Sequence, residues 1–302
     1  MVSVNPLKPS VTSPWILWGA WLFLCCLAFL KPLLTLIRYA LQNDDASHIV
    51  LIPFLVAWLI YVDRQKLLPG SLDLAAASWF ALPASALIAI SIRSTFADAT
   101  VSLAISILAL VMFSVAGFVG LFGRGSANSM RLPLAFLLFL VPLPGPLLAR
   151  IVQFLQAGSA AVAGLIFDWT GTPALREGFV FHLPKMSIEV AQECSGIRSS
   201  IALLILALLV AHFAFSKFWK KALFVAVGLL MMIVKNGVRI ATLTILANSV
   251  DPEFLYGKLH REGGIVFFLI GIALLLPVYW YLRRTEQSIP AAEHHTALTS
   301  KS

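Results

Sequence analysis

Cys194, Arg239 and His260 are the residues of this chain whose types and placing could do chemistry. Cys194 lies in Glu193-Cys194-Ser195-Gly196-Ile197-Arg198, between a polar, strand-like stretch and an apolar run from Ile201 to Val210. A cysteine at a helix N-terminus meets unpaired backbone N–H groups and the positive end of the helix dipole, and both favour the thiolate. Arg198, four residues on, would share its helical face and add a second positive influence. Such a thiolate is a nucleophile. Cys25 and Cys26 are the contrast, because they lie in a featureless apolar run where a cysteine simply packs. Cys194 could also merely pack, but its polar neighbours on both sides favour the nucleophile. Arg239 sits inside another apolar run. An arginine at that depth is costly in lipid and faces protein or water. Its forked guanidinium suits an oxyanion or a carboxylate, with an internal salt bridge as the alternative. Lys235 and Asn236 flank it by one turn and are placed to position it. His260 lies in a polar loop, where a histidine is ordinarily solvated. With a nucleophile at the same depth it becomes a candidate general base.

The elements that must bring these groups together are membrane helices. Of the 302 residues, 60% are hydrophobic and 12% charged, about half the roughly 25% charge of a soluble domain. The net charge of +8 is scattered through loops, without a basic stripe or stacking aromatics. It points to membrane topology and away from nucleic acid. Three cysteines, two of them adjacent, offer no disulfide framework and no metal-ligand spacing. No metal or other cofactor is implied. The first hydrophobic segment is too long for a signal core and lacks a small-residue cleavage site, so it is expected to stay as a span.

The pattern predicts an all-α polytopic membrane protein of about eight transmembrane helices, one interfacial or re-entrant helix and a small extracytoplasmic β-hairpin. The spans are expected at Trp15–Leu41, His48–Val62, Leu74–Ile92, Ala99–Phe122, Leu132 to the break at Pro142–Pro146, Ser195–Phe215, Ala222–Asn248 and Gly263–Leu282. Trp15, Trp18 and Trp21 suit an interfacial belt, and Lys31-Pro32 interrupts the first span. In Arg150–Trp169 the polar Arg150, Gln153, Gln156 and Ser159 recur at helical spacing, which suits a helix lying at the interface. Leaving it out of the count of spans keeps Arg64, Lys66, Arg124, Arg131, Lys217, Lys220, Lys221, Arg283 and Arg284 on the inside. The positive-inside rule prefers that arrangement, with both termini cytoplasmic. Alternation in Gly178–Ala191, divided at Pro184-Lys185, reads as the hairpin. The organisation is thus a cytoplasmic segment over residues 1–14, a membrane domain over 15–285 and a disordered cytoplasmic tail over 286–302.

Cys-Ser-Gly-Ile-Arg-Ser at Cys194–Ser199, Asn-Gly-Val-Arg at Asn236–Arg239, and His260 followed by Gly263-Gly264 resemble the exosortase/archaeosortase family. The family's earlier landmark, a Ser-His near the start of an early span with a following proline, has its counterpart in Ser47, His48 and Pro53, with Ile49 where a glycine is common. The resemblance covers about residues 15 to 285. It implies a multispanning cysteine protease or transpeptidase of the plasma membrane, whose Cys, Arg and His map onto Cys194, Arg239 and His260. Glu193, Ser195, Arg198, Asn236 and His48 then become supporting or substrate-binding residues, with Gln192 standing where the family pattern is often acidic. The implied partners, besides the lipid bilayer, are membrane-anchored proteins bearing a C-terminal motif such as Pro-Glu-Pro, a span and a basic tail. A rival of another class is a non-catalytic membrane subunit of exopolysaccharide or lipid-linked glycan export, whose Arg239 binds an anionic headgroup. A secondary transporter is disfavoured, since no pair of corresponding broken helices recurs in two halves.

Overall fold

A computed structural model of the chain describes residues 14–67, 72–94, 96, 98–190, 196–255 and 264–287. Two compact units divide it, Met1–Gly145 and Pro146–Ser302. Among the described residues seven helices are long and apolar enough to cross a membrane, and an eighth span is added if one bent helix pair counts as one. The protein is therefore a helical multi-pass membrane protein carrying one small sheet.

The first unit holds α1 (Pro14–Ala28), α2 (Leu30–Gln42), α3 (Ile52–Asp63), α4 (Leu74–Arg93), α5 (Ala99–Ser129) and the short α6 (Arg131–Phe136). The axes of α1 and α2 differ by 79°. Pro32 supplies the reason: it has no N–H for the carbonyl of Ala28, and its ring would clash there. The tryptophans of α1 do not form a belt alone. Trp21 donates to the Phe113 carbonyl at 2.9 Å, Trp18 to the Ser114 carbonyl at 3.4 Å, and Trp15 stands edge-on to Phe122. They dock α1 onto α5. The first helical stretch of α5 ends at Phe122 as expected: Gly123, with φ 76° and ψ 167°, is not helical, a conformation only glycine adopts readily, and a second helical stretch follows it to Ser129.

The expected fifth span takes an unexpected form. α6 and the 3-10 turn Leu137–Leu140 together measure only about 15 Å at 1.5 Å per residue, against the roughly 30 Å of a bilayer core. The chain still runs the length of α5. Leu134 packs in the cluster of Phe118 and Phe122, whereas Leu140 and Val141 pack with Leu103 and Ile107. The extended, proline-rich stretch then ends at Gly145, whose N–H donates to Thr100 Oγ1 at 2.8 Å.

The second unit holds α7 (Gly145–Thr170), β1 (Leu175–Glu177), β2 (Val180–His182), β3 (Ser187–Glu189), α8 (Ile197–Ala214), α9 (Phe218–Ser249) and α10 (Gly264–Gln287). Length and composition place α7 among the candidate spans. The polar stripe that suggested an interfacial helix is divided between two faces. Arg150 and Gln153 are exposed, but Gln156 and Ser159 are buried against protein. The predicted hairpin is a three-stranded antiparallel sheet, order β1-β2-β3, because Leu175–Glu177 pairs ahead of it. Gly178, with φ of 64°, makes the added turn. Phe181, paired across to Arg176 and Ile188, buries its ring edge-on to Phe167 of α7.

Helices α8, α9 and α10 share a core of Leu203, Ala207, Phe215, Phe224, Leu275 and Leu282. At one end Glu286 accepts from the buried Lys220 at 2.5 Å and from the Ser216 N–H at 2.8 Å. The tail is thus helical to Gln287 and pinned by its acid. At the other end α9 outruns α8. Ser199 of α8 meets Lys235, so the stretch Asn236–Ser249 extends past the start of α8 by about 20 Å. Ala160, Ala163 and Phe167 of α7, with Phe181, Leu183 and Val190, cover Ile240 and Ala241 on that extension.

Candidate functional site

Cys194, Glu193, Ser195 and His260 lie outside the described residues. Their flanks are described, and these meet the Asn236–Arg239 motif. Gly196 takes a left-handed conformation, φ 69° and ψ 23°, and caps α8, which begins at Ile197. Its carbonyl accepts from Ser199 Oγ at 3.0 Å and from the Ser200 N–H at 2.9 Å. A Cβ placed on Gly196 would lie 2.8 Å from Asn236 Oδ1 and 3.5 Å from Lys235 Nζ. Glycine is therefore required there twice, by conformation and by space.

The span Ser195–Phe215 was expected to start near Cys194, and α8 does begin at Ile197. That start lies level with Lys235 and Asn236, more than three turns inside the end of α9. Arg198 is exposed in the first turn of α8, and the helical face it was expected to share with Cys194 lies outside the described residues.

The surroundings of Asn236 and Gly237 account for both residues of the Asn236-Gly237-Val238-Arg239 motif that pack most tightly. The Asn236 amide, 1% exposed, donates to Ser159 Oγ of α7 at 3.0 Å and turns its oxygen toward Gly196. A Cβ on Gly237 would stand 2.5 Å from Val162 Cβ and 2.9 Å from the Ser159 carbonyl, so this glycine lets α7 and α9 touch. Arg239 follows one turn beyond Asn236 and is half-buried. One residue before the motif, Lys235 is 2% exposed, and its ammonium donates to Ser199 Oγ. Its stem packs on Gly271 of α10.

A second buried amide holds the other flank. Gln156 of α7, 4% exposed, donates through Nε2 to the carbonyl of Val190, the last described residue before Cys194. Gln156, Ser159, Ser199, Lys235 and Asn236 thus form a polar layer between apolar clusters, and it touches the chain on both sides of residues 191–195. Buried polar groups persist only when paired. Here the pairing also fixes where that segment leaves and rejoins the fold. Gln156 and Ser159 were visible in the sequence as a polar stripe, but nothing local distinguished them from the outward-facing Arg150 and Gln153. His48 belongs to the first unit. It sits half-buried in the 3-10 turn Asp44–Val50, with Nδ1 3.1 Å from the Asp45 carbonyl and its ring edge-on to Phe139. Cys25 is buried and Cys26 exposed, and both are free thiols. Among the described residues no group of histidine, cysteine and acidic side chains is arranged to hold a metal.

The family model for transmembrane exosortase matches residues 37–277, which include the polar layer, both motifs and His48. The chain belongs to the transmembrane exosortase family. Membership gives this exosortase-family protein a membrane transpeptidase-type role in general terms. Neither curated protein sequences nor solved structures yield a match.

Proposed function

We propose that the chain is a membrane-embedded cysteine transpeptidase that cleaves C-terminal sorting signals of exported proteins at the extracytoplasmic face. The observation that carries this reading is the seating of Gly196, two residues after Cys194, against Asn236, one turn before Arg239. In the proposed reaction His260 takes the proton of Cys194, and the thiolate attacks the scissile carbonyl carbon. Arg239 stabilises the oxyanion. As the tetrahedral intermediate collapses, the C–N bond breaks and His260 returns the proton to the leaving amine. The signal's span departs, and a thioester to Cys194 remains. An acceptor amine or water then attacks the thioester and restores the thiol. Counting α7 as the fifth span in place of the short α6 segment, and α1 with α2 as one, still leaves five spans before the sheet. The positive-inside count therefore supports the extracytoplasmic placement, and the resemblance in the sequence supports substrates with a Pro-Glu-Pro-type motif, a span and a basic tail.

The test is co-expression with such a substrate. Wild type should shorten it, and Cys194→Ala should leave it full length while accumulating in the membrane to the same level. The double change of Cys25 and Cys26 to Ala should process normally. Processing by Cys194→Ala would end the covalent mechanism and favour a non-catalytic export subunit. A reporter fused at Lys185 that reads cytoplasmic would end the proposed sidedness.

A further inference from the structure

A groove of about 760 Å³ opens on the first unit between α4, α5 and α6, and none of its lining residues belongs to a sequence motif. Its walls are apolar from Leu108 to Val119 on α5, about 16 Å at 1.5 Å per residue, with Leu138 opposite and Trp79 and Phe80 along the rim. Its polar lining residues gather at one end, where Arg124, Asn128 and Arg131 stand. The end is well defined. Arg124 Nε pairs with Asp73 Oδ2 at 3.1 Å, and Arg131 Nε donates to the Asn128 carbonyl at 3.0 Å. A guanidinium has five N–H donors, so each arginine keeps others for a ligand.

Three quantities identify the occupant. The volume falls within the roughly 300–1,000 Å³ of small-molecule sites. The charge is one-sided: two arginines against Asp73 leave one positive charge, which matches a phosphodiester. The apolar wall has the length of an acyl chain, and free phosphate would leave it uncovered. A second, smaller groove of about 510 Å³ repeats the polarity. It is walled by Trp18, Pro53, Val56 and Ile60, with Arg64 at one end. Trp15, which also lines it, stands beside Phe122, so both grooves place their arginines at the same end of the unit.

We propose that the α4–α5–α6 groove is a binding site for one anionic phospholipid, its phosphate held by Arg124 and Arg131 and its acyl chains laid along α5. The site is independent of the proposed chemistry at Cys194.

The full-length protein, purified in mild detergent and stripped of lipid, is titrated with phosphatidylglycerol and with phosphatidylcholine of equal chain length, and bound lipid is counted by native mass spectrometry. Wild type should take up phosphatidylglycerol about tenfold or more tightly than phosphatidylcholine, as charge-assisted contacts to a phosphate require. Arg124→Gln with Arg131→Gln should remove that preference, and Arg64→Gln should leave it. Ala135→Trp, on an exposed lining position, should fill the groove and abolish the tight lipid without lowering the melting temperature in lipid-free detergent. Equal affinity for the two lipids in wild type would overturn the site, as would an unchanged preference in the double variant or in Ala135→Trp. Displacement of the lipid by millimolar inorganic phosphate would overturn the acyl-chain half of the proposal. Loss of a dimer instead of a lipid in Ala135→Trp would assign the groove to a second copy.

Discussion

Gly196 and Asn236 stand so close that no side chain fits between them: a Cβ at position 196 would lie 2.8 Å from Asn236 Oδ1. The amide cannot easily retreat, because its nitrogen is engaged with Ser159 on α7. One contact therefore ties the chain after Cys194, the helix carrying Arg239 and the helix α7. It gives the glycine and the asparagine of the two sequence motifs a shared physical reason.

Gly196→Ala should be worse than its backbone alone predicts. Gly171 has almost the same φ, 66° against 69°, and open space around it. Gly171→Ala should cost only the left-handed penalty, about 1–2 kcal/mol. Gly196→Ala should add about 1–3 kcal/mol of overpacking and lose processing as well. Thermal unfolding of the two variants side by side checks this, and equal losses would mean that the amide yields freely.

Gln156 should matter far more than Gln153, three residues away on the same helix. Gln156→Leu leaves the Val190 carbonyl buried and unpaired, which costs about 1–3 kcal/mol. It should also slow processing, because one anchor of the 191–195 segment is gone. Gln153→Leu lies on the exposed face and should stay within about 0.5 kcal/mol of wild type. Melting temperature and processing rate on both variants decide the matter, and a silent Gln156→Leu would remove the proposed anchor.

Arg239 separates oxyanion binding from a structural ion pair. If its fork stabilises a developing charge, Arg239→Lys cannot reproduce the geometry. Loss of one such donor costs on the order of 100- to 1,000-fold in rate. The expected result is a slow Arg239→Lys enzyme with a near-normal melting temperature, and an equally slow Arg239→Ala. A Lys variant at near-normal rate would defeat the oxyanion role.

Asp98 gives a pH-dependent prediction outside the spans. Its carboxylate accepts from the Thr100 hydroxyl and the Thr100 N–H, each at 2.7 Å, and so caps α5. These hydrogen bonds hold its pKa below the ordinary aspartate value. A depressed folded pKa contributes stability above the unfolded value of about 3.9 and loses it as the pH falls through the folded one. Wild type should therefore melt above Asp98→Ala at neutral pH, and the gap should narrow below about pH 4. A gap that persists unchanged into acid would assign the cap to neutral hydrogen bonding alone.

Membrane class, the positions of most spans and the two motifs were set by the sequence alone, because hydrophobic length and residue spacing are local properties. Lys31-Pro32 marked the bend between α1 and α2 for the same reason, since proline removes a hydrogen bond wherever it stands in a helix. Pro184-Lys185 likewise marked the turn between β2 and β3. Tertiary structure decided the rest. β1 exists because Leu175–Glu177 finds β2 to pair with, and three residues carry too little alternation to announce a strand. Trp18 and Trp21 serve α5, although their spacing also suits an interface. Gln156 and Gln153 are indistinguishable by composition, and the approach of α9 at Gly237 decides which one is buried. The level at which α8 starts is likewise not encoded in α8. It is set where Gly196 comes to rest against Asn236, a contact between residues forty positions apart, and packing between helices resolves what periodicity along one helix leaves open.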